Sequence, residues 1–237
     1  FDHVTFSYDG SVNVLEILIL DIQAGESIAL VGATGAGKTT IVNLISRFYN
    51  VNEGAVKLDG HDISKVTLHS LRSQMGIMLQ DSFIFSGTIL DNIRYGRLDA
   101  TEEEIIAAAK TVRAHDFIME MEDGYHTQVN ERGSRLSQGQ KQLIAFARTL
   151  LSDPRILVLD EATSSIDAKT ERLLQEGLQA LLKGRTSFII AHRLSTIKNC
   201  DRIMYVRDKG ISESGSHAEL IEKHGDYYHL YTAQVES

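Results

Sequence analysis

The chain has 237 residues, enough for one large domain or for a core carrying an inserted subdomain. It is 43% hydrophobic and 24% charged, as ordinary globular proteins are, and its net charge of −8 excludes a general basic field for nucleic acid. Its longest uninterrupted apolar runs are about five residues, such as Leu143–Ala147, against the ~20 that a membrane-spanning helix needs.

Val4–Tyr8 alternates like a strand, Asp9-Gly10 reads as a turn, and Val14–Ile22 as a second, more apolar strand. Tyr8 suits either an ordinary strand aromatic or a platform on which a nucleotide base stacks. No basic n-region or apolar h-region opens the chain, so no signal peptide is expected. The missing initiator Met and a start inside a strand read as an excision from something longer. Cys200 is the sole cysteine, which excludes an intrachain disulfide and suggests a reducing compartment. The nine histidines, among them His115, His126 and His217, show no metal-ligand spacing.

The central stretch is Gly32-Ala33-Thr34-Gly35-Ala36-Gly37-Lys38-Thr39-Thr40, preceded by the apolar run Ile28–Val31 and followed by the helical pattern Ile41–Ile45. Strand, glycine-rich turn and helix, with the spacing G-x-x-x-x-G-K-T, form a phosphate-binding loop. Glycines let successive backbone N–H groups point into one concavity, and a helix beginning near Gly37 aims its positive end there. Lys38 then bridges the β- and γ-phosphates, and the Thr39 hydroxyl ligates Mg²⁺. The expected ligand is a nucleoside triphosphate.

Ala55–Leu58, between Glu53-Gly54 and Asp59-Gly60, reads as a short strand, and Ile77–Gln80 as a buried one. Strand ends of an open α/β sheet line its ligand crevice, so Gln80 is a candidate Mg²⁺ or water contact, and equally a loop amide. From Phe83 to Leu151 the pattern turns helical. Thr101–Glu104 is a capping box opening a helix with Ile105, Ile106, Ala109 and Val112 on one face. A second helix, with Leu143, Ile144, Ala147, Leu150 and Leu151 inward, follows Ser137-Gln138-Gly139-Gln140. Ser137 suits a plain N-cap, or a cap that also turns hydroxyl and N–H donors toward a phosphate.

Ile156–Leu159 followed by Asp160-Glu161 predicts a buried parallel strand that delivers two carboxylates to the crevice. Asp160 is placed to hold Mg²⁺ and Glu161 to polarise an attacking water. Lys169–Leu182 is amphipathic, with Leu173, Leu174, Leu178, Leu181 and Leu182 inward. Ser187–Ala191 reads as another buried strand, ending in His192 on the side of Gln80 and Asp160. Ile203–Val206 and the turn Asp208-Lys209-Gly210 are expected to close the sheet, with polar helical residues running to Ser237.

Taken together, these motifs resemble the nucleotide-binding domain of ATP-binding cassette transporters over essentially the whole chain. Leu136–Gln140, about twenty residues before Leu157–Glu161, looks like that family's signature followed by its second nucleotide motif. Ser164–Asp167 matches the loop after that motif, Gln80 the glutamine loop, His192 the switch histidine and Tyr8 the adenine-stacking aromatic. Leu79–Ile89 and Glu131-Arg132-Gly133 look like the exporter branch, where such segments contact coupling helices of the transmembrane domain.

The resemblance implies an α/β fold: a P-loop NTPase (RecA-like) core over 1–82 and 152–237, with an N-terminal antiparallel β subdomain and an inserted helical signature subdomain over 83–151. It implies ATP and Mg²⁺ as cofactors. Glu161, His192, Lys38 and Gln80 would be catalytic, and Thr39, Gln80 and Asp160 would hold the metal. Tyr8, Gly32, Thr34, Gly35, Ala36, Gly37, Lys38, Thr39 and Thr40 would bind nucleotide in one copy, and Ser137, Gln138, Gly139 and Gln140 in the copy facing it. The implied partners are a second nucleotide-binding domain and a transmembrane domain, at the cytoplasmic face of a membrane, with no nucleic acid.

Five residues depart from the family's pattern. Ala33 replaces a frequent proline, Gln138 a glycine of the signature, and Asn130 a glycine common in exporters; Ile17 and Ile19 suggest a covered face or a solubility cost. Two other readings compete with an exporter motor. A chromosome-type relative would carry a long coiled coil where about 55 residues separate Gln80 from Leu136, and a translation-type relative usually carries two cassettes. A nucleotide sensor without turnover is disfavoured by Glu161 and His192.

Overall fold

The computed structural model describes residues 1–79, 82–133, 135–161 and 165–237, with Arg132 described by its backbone. In chain order the elements begin with β1 (Asp2–Phe6), β2 (Leu15–Leu18), β3 (Ser27–Val31), α1 (Lys38–Ile45), β4 (Glu53–Ala55), β5 (Lys57–Leu58), β6 (His61–Asp62), α2 (Leu68–Arg72) and β7 (Met75–Met78). Then come β8 (Gly87–Thr88), α3 (Ile89–Arg94), α4 (Glu102–Thr111), α5 (His115–Glu120), β9 (Gln128–Val129) and α6 (Gln138–Ser152). The last are β10 (Ile156–Asp160), α7 (Ala168–Leu182), β11 (Thr186–Ile190), α8 (Leu194–Asn199), β12 (Arg202–Arg207), β13 (Gly210–Gly215), α9 (His217–Lys223) and α10 (Asp226–Val235).

The chain divides into two compact units, one of residues 1–77, 156–161 and 186–237, the other of residues 78–155 and 162–185. The first is built on a six-stranded sheet of order β13-β12-β3-β11-β10-β7. Neighbours among β12, β3, β11 and β10 run parallel, and β13 pairs antiparallel with β12. Every residue of β3 is buried, as are four of five in β10 and in β11. Strands covered on both faces need such unbroken apolar runs, which is why Ile28–Val31 and Ile156–Leu159 stood out in the sequence. An antiparallel sheet of order β2-β1-β4 lies in the same unit.

Several strand boundaries differ from those expected: β1 and β7 each begin two residues earlier, and three differences go further. The expected strand Val14–Ile22 is only Leu15–Leu18: Ile17 takes a left-handed φ of 48° and its N–H goes to the Thr5 hydroxyl at 3.1 Å instead of a ladder carbonyl. Ile17 and Ile19 are exposed, so no part of the described chain covers that face. Ala55–Leu58 is split into β4 and β5, which belong to different sheets. The sheet ends on β13, a strand where polar helix was expected, before α9 and α10.

In the second unit α6 is the hub: α3, α4 and α7 all pack on it. Its buried residues include Leu143, Ile144, Phe146, Ala147 and Leu151. Helix α7 contributes Leu174, Leu178, Leu181 and Leu182, so it joins this unit alongside the 83–151 segment. Buried Asn92 on α3 exchanges hydrogen bonds with the backbone of Phe85, and the Arg148 guanidinium of α6 donates to the carbonyls of Asn92 and Phe83 at 2.8 and 2.9 Å. This network fastens the segment after Ser82 to α6. Among the described residues, no helix is long and apolar enough to cross a membrane.

Candidate functional site

The site of the first unit begins where β3 ends. Register places Leu30, Ile190 and Asp160 in one row across three adjacent parallel strands. Gly32 follows Leu30 by two residues, His192 follows Ile190 by two, and Glu161 comes directly after Asp160. With strands about 4.8 Å apart, the phosphate loop and both carboxylates start within about 10 Å of one another. That convergence at the carboxyl ends of parallel strands is where open α/β sheets hold ligands.

The loop fits a phosphate group on its own geometry. A Cβ on Gly32 would stand 2.5 Å from the Val206 carbonyl oxygen, so only glycine lets the chain pass there. Gly37 caps α1 with a left-handed φ of 115° and no side-chain cap, and no acidic residue occupies the first turn. Four orphan N–H groups at a helix start are what an anion requires. By contrast, α3, α4, α6 and α9 close their own N-termini with capping boxes.

Lys38 Nζ donates to the Gly32 carbonyl at 2.6 Å, folding back over the loop. Burial lowers its pKa from the usual lysine range, opposed by the nearby Asp160 carboxylate. Thr34, Gly35 and Thr39 are exposed and Gly32 and Ala36 half-buried. Thr40 is buried, and its hydroxyl is partnered with the Tyr8 phenol at 2.8 Å. The Tyr8 ring is nearly half exposed, and Phe6 and Tyr49 meet it edge-on at centroid distances of 4.8 and 4.9 Å, so neither stacks on its face.

Asp160 lies 3.6 Å from His192 Nε2, too long for a hydrogen bond and close enough for charge contact. Glu161 is buried, and its carboxylate accepts from three donors. Oε2 takes the N–H groups of His192 at 2.9 Å and Arg193 at 3.1 Å; Oε1 takes the Thr196 hydroxyl at 2.6 Å. Tyr49, beside Tyr8, and Thr196, beside Glu161, are not marked by any sequence motif. Nothing local marks either, because each matters through a partner far away in the chain.

An Mg²⁺ ion fits this donor set only in company with phosphates. The described residues hold no cluster of three carboxylate, His or Cys groups for a metal. Thr39 and Asp160 are hard oxygen donors, and Mg²⁺ commonly takes one or two protein oxygens plus substrate phosphates and water. Gln80, and Ser164 of the loop after Glu161, lie outside the described residues.

In the second unit, Ser137 caps α6. Its Oγ accepts from Gln140 N–H at 3.2 Å, and Gln140 Oε1 accepts from Ser137 N–H at 3.0 Å. This capping box uses the hydroxyl as acceptor and leaves its proton to donate outward. Ser137 is exposed, Gln138 and Gln140 half-buried, and Gly139 buried. A Cβ on Gly139 would stand 2.3 Å from Thr170 Cγ2, so close packing on α7 requires glycine there without any ligand.

Comparison with known proteins gives a consistent picture. The profile of the family described as ABC transporter matches residues 15–164. An uncharacterized ABC transporter ATP-binding protein of Bacillus subtilis (strain 168), YfiC, is 53% identical over 236 residues, which are 100% of this chain and 39% of that protein. A second from the same organism, YknV, is 53% identical over 234 residues, 99% of this chain and 39% of its own length. Among solved structures, a bacterial Atm1-family ABC exporter with ATP bound superposes with a TM-score of 0.90 at 44% identity, over 99% of this chain and 41% of that one. The chain thus spans about two fifths of the length of the relatives it matches.

Proposed function

We propose, from the premise that the chain belongs to the ABC transporter family, that it is the ATP-hydrolysing motor of an exporter whose transmembrane part lies in the rest of a longer protein. The observation that carries this reading is the row of Leu30, Ile190 and Asp160, from which the Gly32 loop, Asp160-Glu161 and His192 follow at the carboxyl end of one sheet. The ATP-bound exporter with the same fold supports it further.

In this reading the N–H groups of the loop and of the α1 N-terminus hold the phosphates, and Lys38 leaves the Gly32 carbonyl to take the β- and γ-oxygens. Thr39, Asp160 and Gln80 would hold Mg²⁺, which when bound neutralises charge on the triphosphate. Glu161 accepts a proton from the attacking water, and His192, already beside Asp160, senses the γ-phosphate. Tyr8 stacks on the adenine. Residues 1–82 and 152–237 act as the ATP-binding core, while the helical segment 83–151 presents Ser137–Gln140 to the nucleotide of a second domain. Closure of that pair on ATP and its reopening on hydrolysis drive a membrane gate from the cytoplasmic face.

The test is Glu161→Gln. Phosphate release over multiple turnovers should fall by at least about a hundredfold, as for removal of a group acting in the chemical step. Light scattering should show the variant as a dimer with ATP and Mg²⁺ and as a monomer without them. Turnover equal to that of the unaltered chain would overturn the catalytic assignment. A nucleotide sensor without turnover would show negligible rates in both proteins.

A further inference from the structure

We infer that Thr196, on α8, is a positioning residue for the general base; this rests on the assignment of that role to Glu161. Thr196 is 1% exposed, and its hydroxyl donates to Glu161 Oε1 at 2.6 Å, across 35 residues of chain. Thr196 is the third residue of α8, so the residue four back, His192, precedes the helix and offers the hydroxyl no carbonyl within it. The hydroxyl is turned onto the carboxylate of a residue that is itself 4% exposed.

The bonding around Glu161 gives that contact its consequence. A carboxylate has about four lone-pair directions. Two on Oε2 are taken by the N–H groups of His192 and Arg193, and one on Oε1 by Thr196. Among the described residues no donor takes the remaining direction, on Oε1, which is the one that can meet a water. The two backbone donors hold one oxygen as a hinge, and the hydroxyl sets the rotation about it. Among the described residues, Thr196 supplies the single side-chain donor to this carboxylate, so a side-chain change can remove it without altering the backbone clasp. The same clasp joins the acid pair to the switch segment. His192 meets Glu161 through its N–H while its ring stands 3.6 Å from Asp160. A movement of the His192 backbone would therefore move a donor of the base, whereas the Thr196 hydroxyl holds Oε1 from a different element.

The experiment compares Thr196→Val, Thr196→Ala and Thr196→Ser in the 237-residue chain, at a concentration where the unaltered chain turns over repeatedly. Valine keeps the volume and loses the donor, alanine is a good helix former, and serine keeps the hydroxyl. Thr196→Val and Thr196→Ala should lower kcat about tenfold or more, with KM for ATP held within about twofold. Thr196→Ser should return kcat to within about twofold of the unaltered chain, and Thr196→Val should subtract nothing further in a Glu161→Gln background. If Thr196→Val turns over normally while Glu161→Gln does not, the positioning role is wrong and the base survives. If Glu161→Gln turns over normally, the base itself is wrong. If the valine and alanine variants both lose ATP affinity, the contact serves folding and the inference is overturned.

Discussion

At Tyr8, ring and hydroxyl do different things. The phenol oxygen ties β1's trailing segment to α1 through Thr40, whereas the ring meets two perpendicular aromatics and the residue is nearly half exposed. If adenine stacks there, the ring carries the affinity and the hydroxyl does not. Tyr8→Phe should then bind ATP within about twofold of the unaltered chain, while Tyr8→Ala should weaken binding about tenfold, within the 1–3 kcal/mol a base–aromatic stack contributes. Titration of a fluorescent ATP analogue separates the two; equal losses would assign Tyr8 to fastening α1. Lys38, Asp160 and His192 were legible in the sequence because motif spacing and strand ends announce them. Thr196 was not, since its importance arises only when register brings Glu161 and α8 together.

Helix starts were the most legible elements. Thr101–Glu104 and Ser137–Gln140 read as caps from residue type and spacing, and both form capping boxes. The strands β2 and β13 were obscured for opposite reasons. Val14–Ile22 is apolar beyond the point where the backbone turns away at Ile17, and β13 is a polar edge strand with alternating exposure that mimics no buried pattern. Caps also carry a pH signature. Backbone N–H donors hold Asp91, Glu104 and Glu219 below their ordinary values of 3.8, 4.5 and 4.5, and the hydrogen bonds from Thr170 do the same for Asp167. Each carboxylate is more acidic folded than unfolded. Its contribution is therefore complete above its unfolded pKa and disappears as pH falls through the lower folded value. Urea midpoints should be nearly level from about pH 7 to 5 and fall steadily below about 4.5. A midpoint that does not fall in that range would mean the caps contribute nothing measurable.

For the whole molecule, the question is how many chains one catalytic site needs. The phosphate loop, Asp160, Glu161 and His192 belong to one compact unit, and Ser137–Gln140 to the other. If nucleotide is held head to tail, each site takes the loop of one chain and the Ser137 segment of its partner. Two defects in different chains should then complement. Lys38→Ala removes the loop's cation and leaves the Ser137 segment intact; Ser137→Arg puts bulk and charge at the α6 cap and leaves the loop intact. Each variant alone should release phosphate at a negligible rate. In an equimolar mixture half of randomly formed two-fold dimers are mixed, and each mixed dimer holds one complete site of two. Independent sites would restore about a quarter of the unaltered activity per chain. A site completed within one chain gives no such recovery, because every chain in the mixture then carries its own defect. Phosphate release by the mixture, measured against the sum of the separate variants, decides between them.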